Sequence, residues 1–254
     1  MQLSVGKNTI WLSKLDKDGN LGKWFMVDTP KEGTSDLSTS EGSKTEYTEE
    51  GGGLVDMYQQ KSKFPFTIDL FAKKGKKQPI PDDNGVIIDN YAVRVAPEDP
   101  ECLGFILWKC SVSLVKTYKT ADGIIWRYTF TGLMNDWSTQ IMDDWVKAQW
   151  IDFDKNYVVF PSKADTAGDT AGDTAGQVLT QVLTTDDVGA GTTMTVSASE
   201  PWITVTSEGN KITVKVAENT TGKKRVGWID IAADLDDTED DEESKGKIKV
   251  IQSK

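Results

Sequence analysis

The chain has 254 residues, a net charge of −11 and no histidine. That balance repels phosphates and anionic lipid headgroups at long range, which argues against a duplex-gripping or membrane-adsorbing protein. The missing imidazole removes the commonest general base and metal ligand. No Walker loop, G-x-S-x-G or paired cysteine knuckle takes its place, so a non-enzyme is expected, with no catalytic residue, no cofactor and no metal.

No apolar run reaches the roughly 18 residues of a membrane span. The opening "MQLSVGKNTIWLSKLD" has no charged region followed by an apolar one, so synthesis in a cytoplasm without export is the expectation, and no membrane partner. "NTIWLSKL" and "KWFMVD" read as strands on either side of the turn "DKDGN", Asp16 to Asn20. From Pro30 to Gly53 no apolar periodicity appears. A loop that long is either disordered or reserved for a partner, and both outcomes stand open.

Period-2 alternation then returns. "FPFTIDLF" puts Phe64, Phe66, Ile68 and Leu70 on one face, and "VIIDNYAVRV" aligns Ile87, Tyr91, Val93 and Val95. "GFILWKCSVSLVKTY" and "GIIWRYTFTGL" form a hairpin through "TADG", with Ile124, Trp126, Tyr128 and Phe130 sharing a face. These arms are far longer than the mean strand of about 5 to 6 residues, so they outrun one small sandwich unless something else covers them. In an extended run Cys102 and Cys110 stand about 26 Å apart, far beyond the roughly 7 Å a disulfide allows, and free thiols are expected. A helix is expected over about 138–150: Ile141, Trp145 and Ala148 fall at i, i+4, i+7, and Ser138 suits the N-cap.

Residues 1–162 are therefore read as one domain, a β-sandwich or barrel with one packed α-helix and a long hairpin. "DTAGDTAGDTAG", Asp165 to Gly176, repeats four residues three times and lies in a flexible linker over 163–176, with a reach of about 20 Å. Residues 177–254 read as a small sandwich of immunoglobulin-like type. Met194, Val196 and Ala198 turn one way, as do Ile212, Val214 and Val216, and then Gly227, Ile229 and Ile231, before a last strand "KIKVIQ". Parity puts Trp228 on the opposite side from Ile229 and Ile231, where a ring can stack on a sugar or pack under a loop; Trp202 is the second candidate contact, with core or edge packing as its alternative. "NTT" at Asn219 reads as a turn. Asp234 to Ser244, dense in carboxylates, reads as a solvated hairpin tip, since the spacing misses a calcium loop.

Two resemblances follow. "SASEPWITVTSEGNKITVKVAENTTGKKRVGWIDI", closing in "KIKVIQ", resembles a BACON domain through Trp202, the turn with Asn219 and Arg225, the Ile229/Ile231 strand and terminal Gln252. That likeness implies an immunoglobulin-like module, often attached to glycan-active proteins and often only a spacer. In its order of parts, residues 1–162 resemble a phage tail tube protein: strands, a long polar loop, "LVDMYQQKSKFPFTIDLFAKKGK", two long arms, then a helix.

The second likeness implies a structural virion protein made in the host cytoplasm. Such subunits form stacked, hexameric rings, contact other tail proteins and let DNA pass without specific binding. It also makes the polar loop an inter-subunit arm, with Lys31, Glu32, Tyr47, Glu49 and Glu50 as its candidate contacts, and the outer domain a weak glycan binder. The alternatives are a bacterial surface or periplasmic glycan-binding protein, or another tail component such as a head–tail joining protein.

Overall fold

In a computed structural model, the residues described are 6–162, 179–188, 192–233 and 244–254. The fold is almost entirely β. It divides into two compact units, Met1–Gly19 with Trp24–Trp145, and Asn20–Lys23 with Val146–Lys254.

The first unit holds β1 (Thr9–Leu15), the second half of β2 (Leu21–Met26), β3 (Asp36–Leu37), β4 (Lys44–Thr48), β5 (Leu54–Gln59), β6 (Pro65–Phe71), β7 (Tyr91–Ala96), β8 (Gly104–Lys119), β9 (Gly123–Gly132) and β10 (Met142–Trp145). One sheet runs β2-β1-β7-β8-β9-β6-β3, with β10 also on β8, while β4 and β5 pair only with each other. Ile10 and Leu12 of β1 share a buried cluster with Phe66, Ile68 and Leu70 of β6, strands well separated in the sheet. The sheet must therefore curl so that one face closes on itself. Ile80, from the connection between β6 and β7, plugs that interior at 0% exposure, and the Tyr128 hydroxyl donates to its carbonyl at 3.1 Å.

The opposite face is buried at β7 as well. Arg94 pairs across from Trp11, and its guanidinium carbon lies 5.5, 4.4 and 5.1 Å from the ring centres of Trp11, Trp24 and Trp145. Three electron-rich ring faces offset the cost of desolvating one cation.

The helix expected over 138–150 is replaced by β10 and a single 3-10 turn at Lys147–Gln149. Side chains capture the N–H groups that a helix would need. Asn135 Oδ1 accepts from the Trp137 and Ser138 amides at 2.7 and 2.8 Å, and Ser138 Oγ accepts from Gln140 N at 3.1 Å. Because β9 pairs with β8 only from Cys110 onward, the first part of β8 keeps a bare edge, and Met142–Trp145 fills it opposite Leu107–Gly104. An edge ladder outcompetes a short helix here.

The second unit holds β11 (Tyr157–Phe160), β12 (Leu179–Thr184), β13 (Met194–Ala198), β14 (Ile203–Glu208), β15 (Lys211–Val216), β16 (Arg225–Ala233) and β17 (Ser244–Gln252). They form two sheets, β11-β17-β16-β13 and β12-β15-β14, over a core that includes Leu183, Ile212, Val214, Ile229, Ile231 and Ile248. The unit starts earlier than position 177. Val158 and Phe160 of β11 lie in this core, and β11 pairs in parallel with β17. In the chain the DTAG repeat therefore falls between the first two strands of the second unit, not between the two units. The repeat, most of the acidic run from Asp234 and the start of the chain lie outside the described residues.

Residues that carried the BACON likeness meet at one end of this sandwich. Gln252, fully buried, accepts from Arg225 Nε at 2.8 Å and donates to the Pro161 and Ala217 carbonyls at 3.1 Å. Arg225 Nη2 reaches the Ala217 carbonyl at 2.6 Å, and the guanidinium stacks 4.3 Å from the Trp202 ring centre. Asn219 donates to the carbonyls of Lys223 (2.7 Å) and Ser253 (2.6 Å) and accepts from the Thr221 hydroxyl at 2.7 Å. Its amide is thus consumed in a turn. Asn219 is itself buried, and replacing it with alanine removes these hydrogen bonds together, which is expected to destabilise the second unit by about 2 kcal/mol, read as a lower urea midpoint.

Candidate functional site

The long hairpin is closed on one flank and open on the other. β9 pairs with β8 along Cys110–Lys119 and with β6 along Pro65–Phe71, so both of its edges are used. On the far side of β8, β7 pairs only as far as Cys110.

Beyond that point the direction of the backbone groups can be worked out. The Leu133 amide donates to the Lys109 carbonyl at 2.8 Å, so Lys109 faces the β9 side, and the register then continues without a shift to Lys119. Backbone polar groups alternate sides along a strand. Those of Val112, Leu114, Lys116 and Tyr118 therefore point to the open flank, where no strand meets them among the described residues. A row of unpaired N–H and C=O groups is a template for another strand.

The side chains near that flank are partly apolar. Val112 and Leu114 are buried beneath it, while Val115, Tyr118 and Ile124 are exposed, Tyr118 at 73%. Lys116 is gripped by Asp82 at 2.6 Å. That lysine, with further hydrogen bonds from Gln78 Nε2 and Gly85 N, holds the Asp82 carboxyl down to about 2. Its folded value lies below the ordinary 3.8, so the carboxylate's contribution is complete above about pH 4 and lost as pH falls through 2. Asp82→Asn is expected to flatten the drop in thermal midpoint between pH 4 and pH 2, measured by circular dichroism.

The loop from Pro30 to Gly53 is ordered, in two parts. Its first part lies along β6: the Lys31 amide donates to the Asp69 carbonyl at 2.7 Å, and β3 pairs with Thr67 and Phe66. Lys31 reaches Asp122 at 3.1 Å and sits over the Phe71 ring. Lys31 and the exposed Glu32 are thus at the root, away from the projecting segment. The second part is that segment, the β4–β5 hairpin, which carries Tyr47 and, at its turn, Glu49 and Glu50. Every residue of both strands is exposed, and Tyr47, Leu54, Val55, Met57 and Tyr58 show 47–66% of their surface. An isolated two-stranded hairpin is marginal in water, and an apolar one is suited to docking.

The two tryptophans lie differently. Trp228 points away from the sandwich core, as parity required, and is half-buried, with Lys247 and Lys249 Nζ 5.0 and 5.5 Å from its ring centre. Trp202 is committed to Arg225 and to packing against the core. Both cysteines are free thiols, and Cys110 is fully buried, which pushes its pKa up. Among the described residues no cluster of three acidic, cysteine or histidine side chains could hold a metal, and no helix is long and apolar enough to cross a membrane. No protein-family model matches the chain, and no curated protein matches it either.

Sequence reasoning found the long hairpin from its TADG turn and its alternation, and found from its length that it outruns one small sandwich. It missed the hairpin inside the polar loop, because β4 is almost wholly polar and a strand exposed on both faces shows no alternation.

Proposed function

We propose that this chain is a structural subunit of a phage tail tube, self-assembling into stacked, hexameric rings around a DNA conduit. The observation that carries this reading is the open flank of β8, four outward-facing residues from Val112 to Tyr118. A strand from a sibling copy completes it, and repetition around a ring leaves no edge unpaired. The exposed β4–β5 hairpin supports the same reading, since its apolar side chains gain cover only from another chain.

The middle of the ribbon face turned from the core carries Ser111, Ser113, Val115, Thr117, Thr129 and Thr131, with Arg127 neutralised by Asp69 at 2.7 Å, between Lys109 and Lys119 at its ends. A hydroxyl-rich wall gives passing DNA little to bind by counterion release. Function in this reading is assembly, with no bond made or broken.

The second unit is read as an immunoglobulin-like module displayed on the outside. Lettered a to g in chain order, its sheets run b-e-d and a-g-f-c, which reproduces the B-E-D and C-F-G neighbours of immunoglobulin sandwiches. Many copies on one particle turn a weak sugar contact into useful adhesion. Trp228 is the candidate contact, and its two ammonium neighbours suit an acidic glycan.

Electron microscopy and light scattering of the full chain test the reading. Rings or tubes are expected at high concentration. A monomer that binds polysaccharide would favour the bacterial glycan-binding alternative. Assembled particles on a glycan array test the adhesion separately, and silence there leaves the second unit a spacer.

A further inference from the structure

The first unit is electrically polarised along β6. At the far end of that strand the chain runs through Lys73, Lys74, Lys76 and Lys77, all exposed. The Ala72 amide donates to the Ile124 carbonyl at 3.0 Å, which sets this loop beside the β8–β9 turn, where Lys116 and Lys119 also lie. Against them stand Asp28, held by Lys73 and Lys76, Asp82, held by Lys116, and Asp122, held by Lys31. Lys74, Lys77 and Lys119 have no ion-pair partner among the described residues. On a chain of net charge −11, this pole is positive.

Past the near end of β6, where Lys61 and Lys63 lie, the tip of the β4–β5 hairpin has the opposite sign. There β3 and β6 continue through the Ser40–Lys63 bridge into the β4–β5 hairpin as one two-stranded ribbon. The hairpin carries Glu46, Glu49, Glu50 and Asp56 beyond the Glu41–Lys44 pair. From the lysine loop to the hairpin turn the ribbon spans roughly 65 Å at about 3.3 Å per residue. The two ends therefore lie out of reach of each other within one copy.

We propose that the acidic β4–β5 hairpin of one copy docks on the lysine pole of the next, joining copies head to tail. The sites match in charge, and each also offers exposed apolar groups, Tyr47, Leu54 and Tyr58 on the hairpin and Tyr118 and Ile124 at the pole. A contact between different patches is heterologous, and where its rotation does not close a ring it extends along an axis. This inference rests on the self-assembly reading and adds its polarity and its contact residues.

Charge reversal tests it. One variant reverses the pole (Lys73→Glu, Lys74→Glu, Lys77→Glu) and another the hairpin (Glu46→Lys, Glu49→Lys, Glu50→Lys). Each alone sets like charge against like and should raise the onset concentration of tube growth at least about tenfold. Mixed in equal amounts, the two should alternate and return the onset to within about twofold of the original. Recovery on mixing also shows that both variants fold. Growth of each variant alone at the original onset, or no recovery on mixing, overturns the proposal. So does a lysine-dependent gain in affinity for a single-stranded oligonucleotide without any change in growth, which would assign the pole to phosphates. If both variants grow normally while Tyr118→Pro does not, the head-to-tail pairing is wrong and the self-assembly reading stands.

Discussion

Tyr118→Pro is expected to leave the monomer folded and to suppress ring formation. The Tyr118 amide points to the open flank of β8, so its removal breaks no bond within the chain, and its side chain is largely exposed. Proline is tolerated at an edge whose N–H faces solvent. The thermal midpoint should therefore move by no more than about 3 °C. A docking strand, however, loses a hydrogen bond of about 1 kcal/mol and meets the pyrrolidine ring. The onset concentration of assembly should rise at least tenfold, about 1.4 kcal/mol for each junction. Thr117→Pro, one residue away, should behave in the opposite sense. Its N–H faces β9, so the cost, about 3 kcal/mol, falls on the fold. Light scattering and circular dichroism on the same samples separate the two outcomes.

Gly104→Ala is expected to damage the core of the first unit severely with a single methyl group. Gly104 starts β8 between β7 and β10, and an added Cβ would collide with the Val95 carbonyl oxygen and come within 3.1 Å of the Trp145 carbonyl oxygen. Both obstacles are backbone atoms of paired strands and do not rotate aside. Relief requires prising β7 from β8, above a core that includes Val93, Val95 and Leu107. A loss of about 3 kcal/mol or more should follow. The Cys110 thiol, at 0% exposure, reports it. In a Cys102→Ser background, thiol labelling of the alanine variant should run at least about a hundredfold faster, the factor that follows from a drop of this size in opening energy. Unchanged labelling would show that the strands have room to spare.

The sequence was most readable where one face of a strand is buried and the other is wet. Phe66/Ile68/Leu70 and Ile229/Ile231 face their cores as alternation required. It was least readable where a strand is buried on both faces or on neither. Alternation puts Arg94 opposite Val93 and Val95, on the face a one-sided strand turns to water, yet three tryptophans enclose it. The β4–β5 hairpin looked like loop because no core sorts its residues.

Length misled twice. β11 is only four residues, and its place in the second unit depends on a parallel pairing with the last strand, far away in the chain. The conspicuous repeat after it therefore drew the domain boundary to itself. In 138–150 an amphipathic spacing at i, i+4, i+7 was real, but the bare edge of β8 and the turns at Asn135 and Ser138 captured the backbone first. The open flank itself was legible only as excess length. Its direction became visible once the Leu133–Lys109 hydrogen bond fixed which groups face outward.

Hydrogen exchange on the amides of Val112, Leu114, Lys116 and Tyr118, followed as protein concentration rises, asks the question most directly. If sibling strands complete β8, these four amides lack a partner strand in the dilute monomer, exchange fastest at the exposed Lys116 and Tyr118 and more slowly at the buried Val112 and Leu114, and become protected together as particles form. Particles that form while all four continue to exchange at the monomer rate would contradict the account.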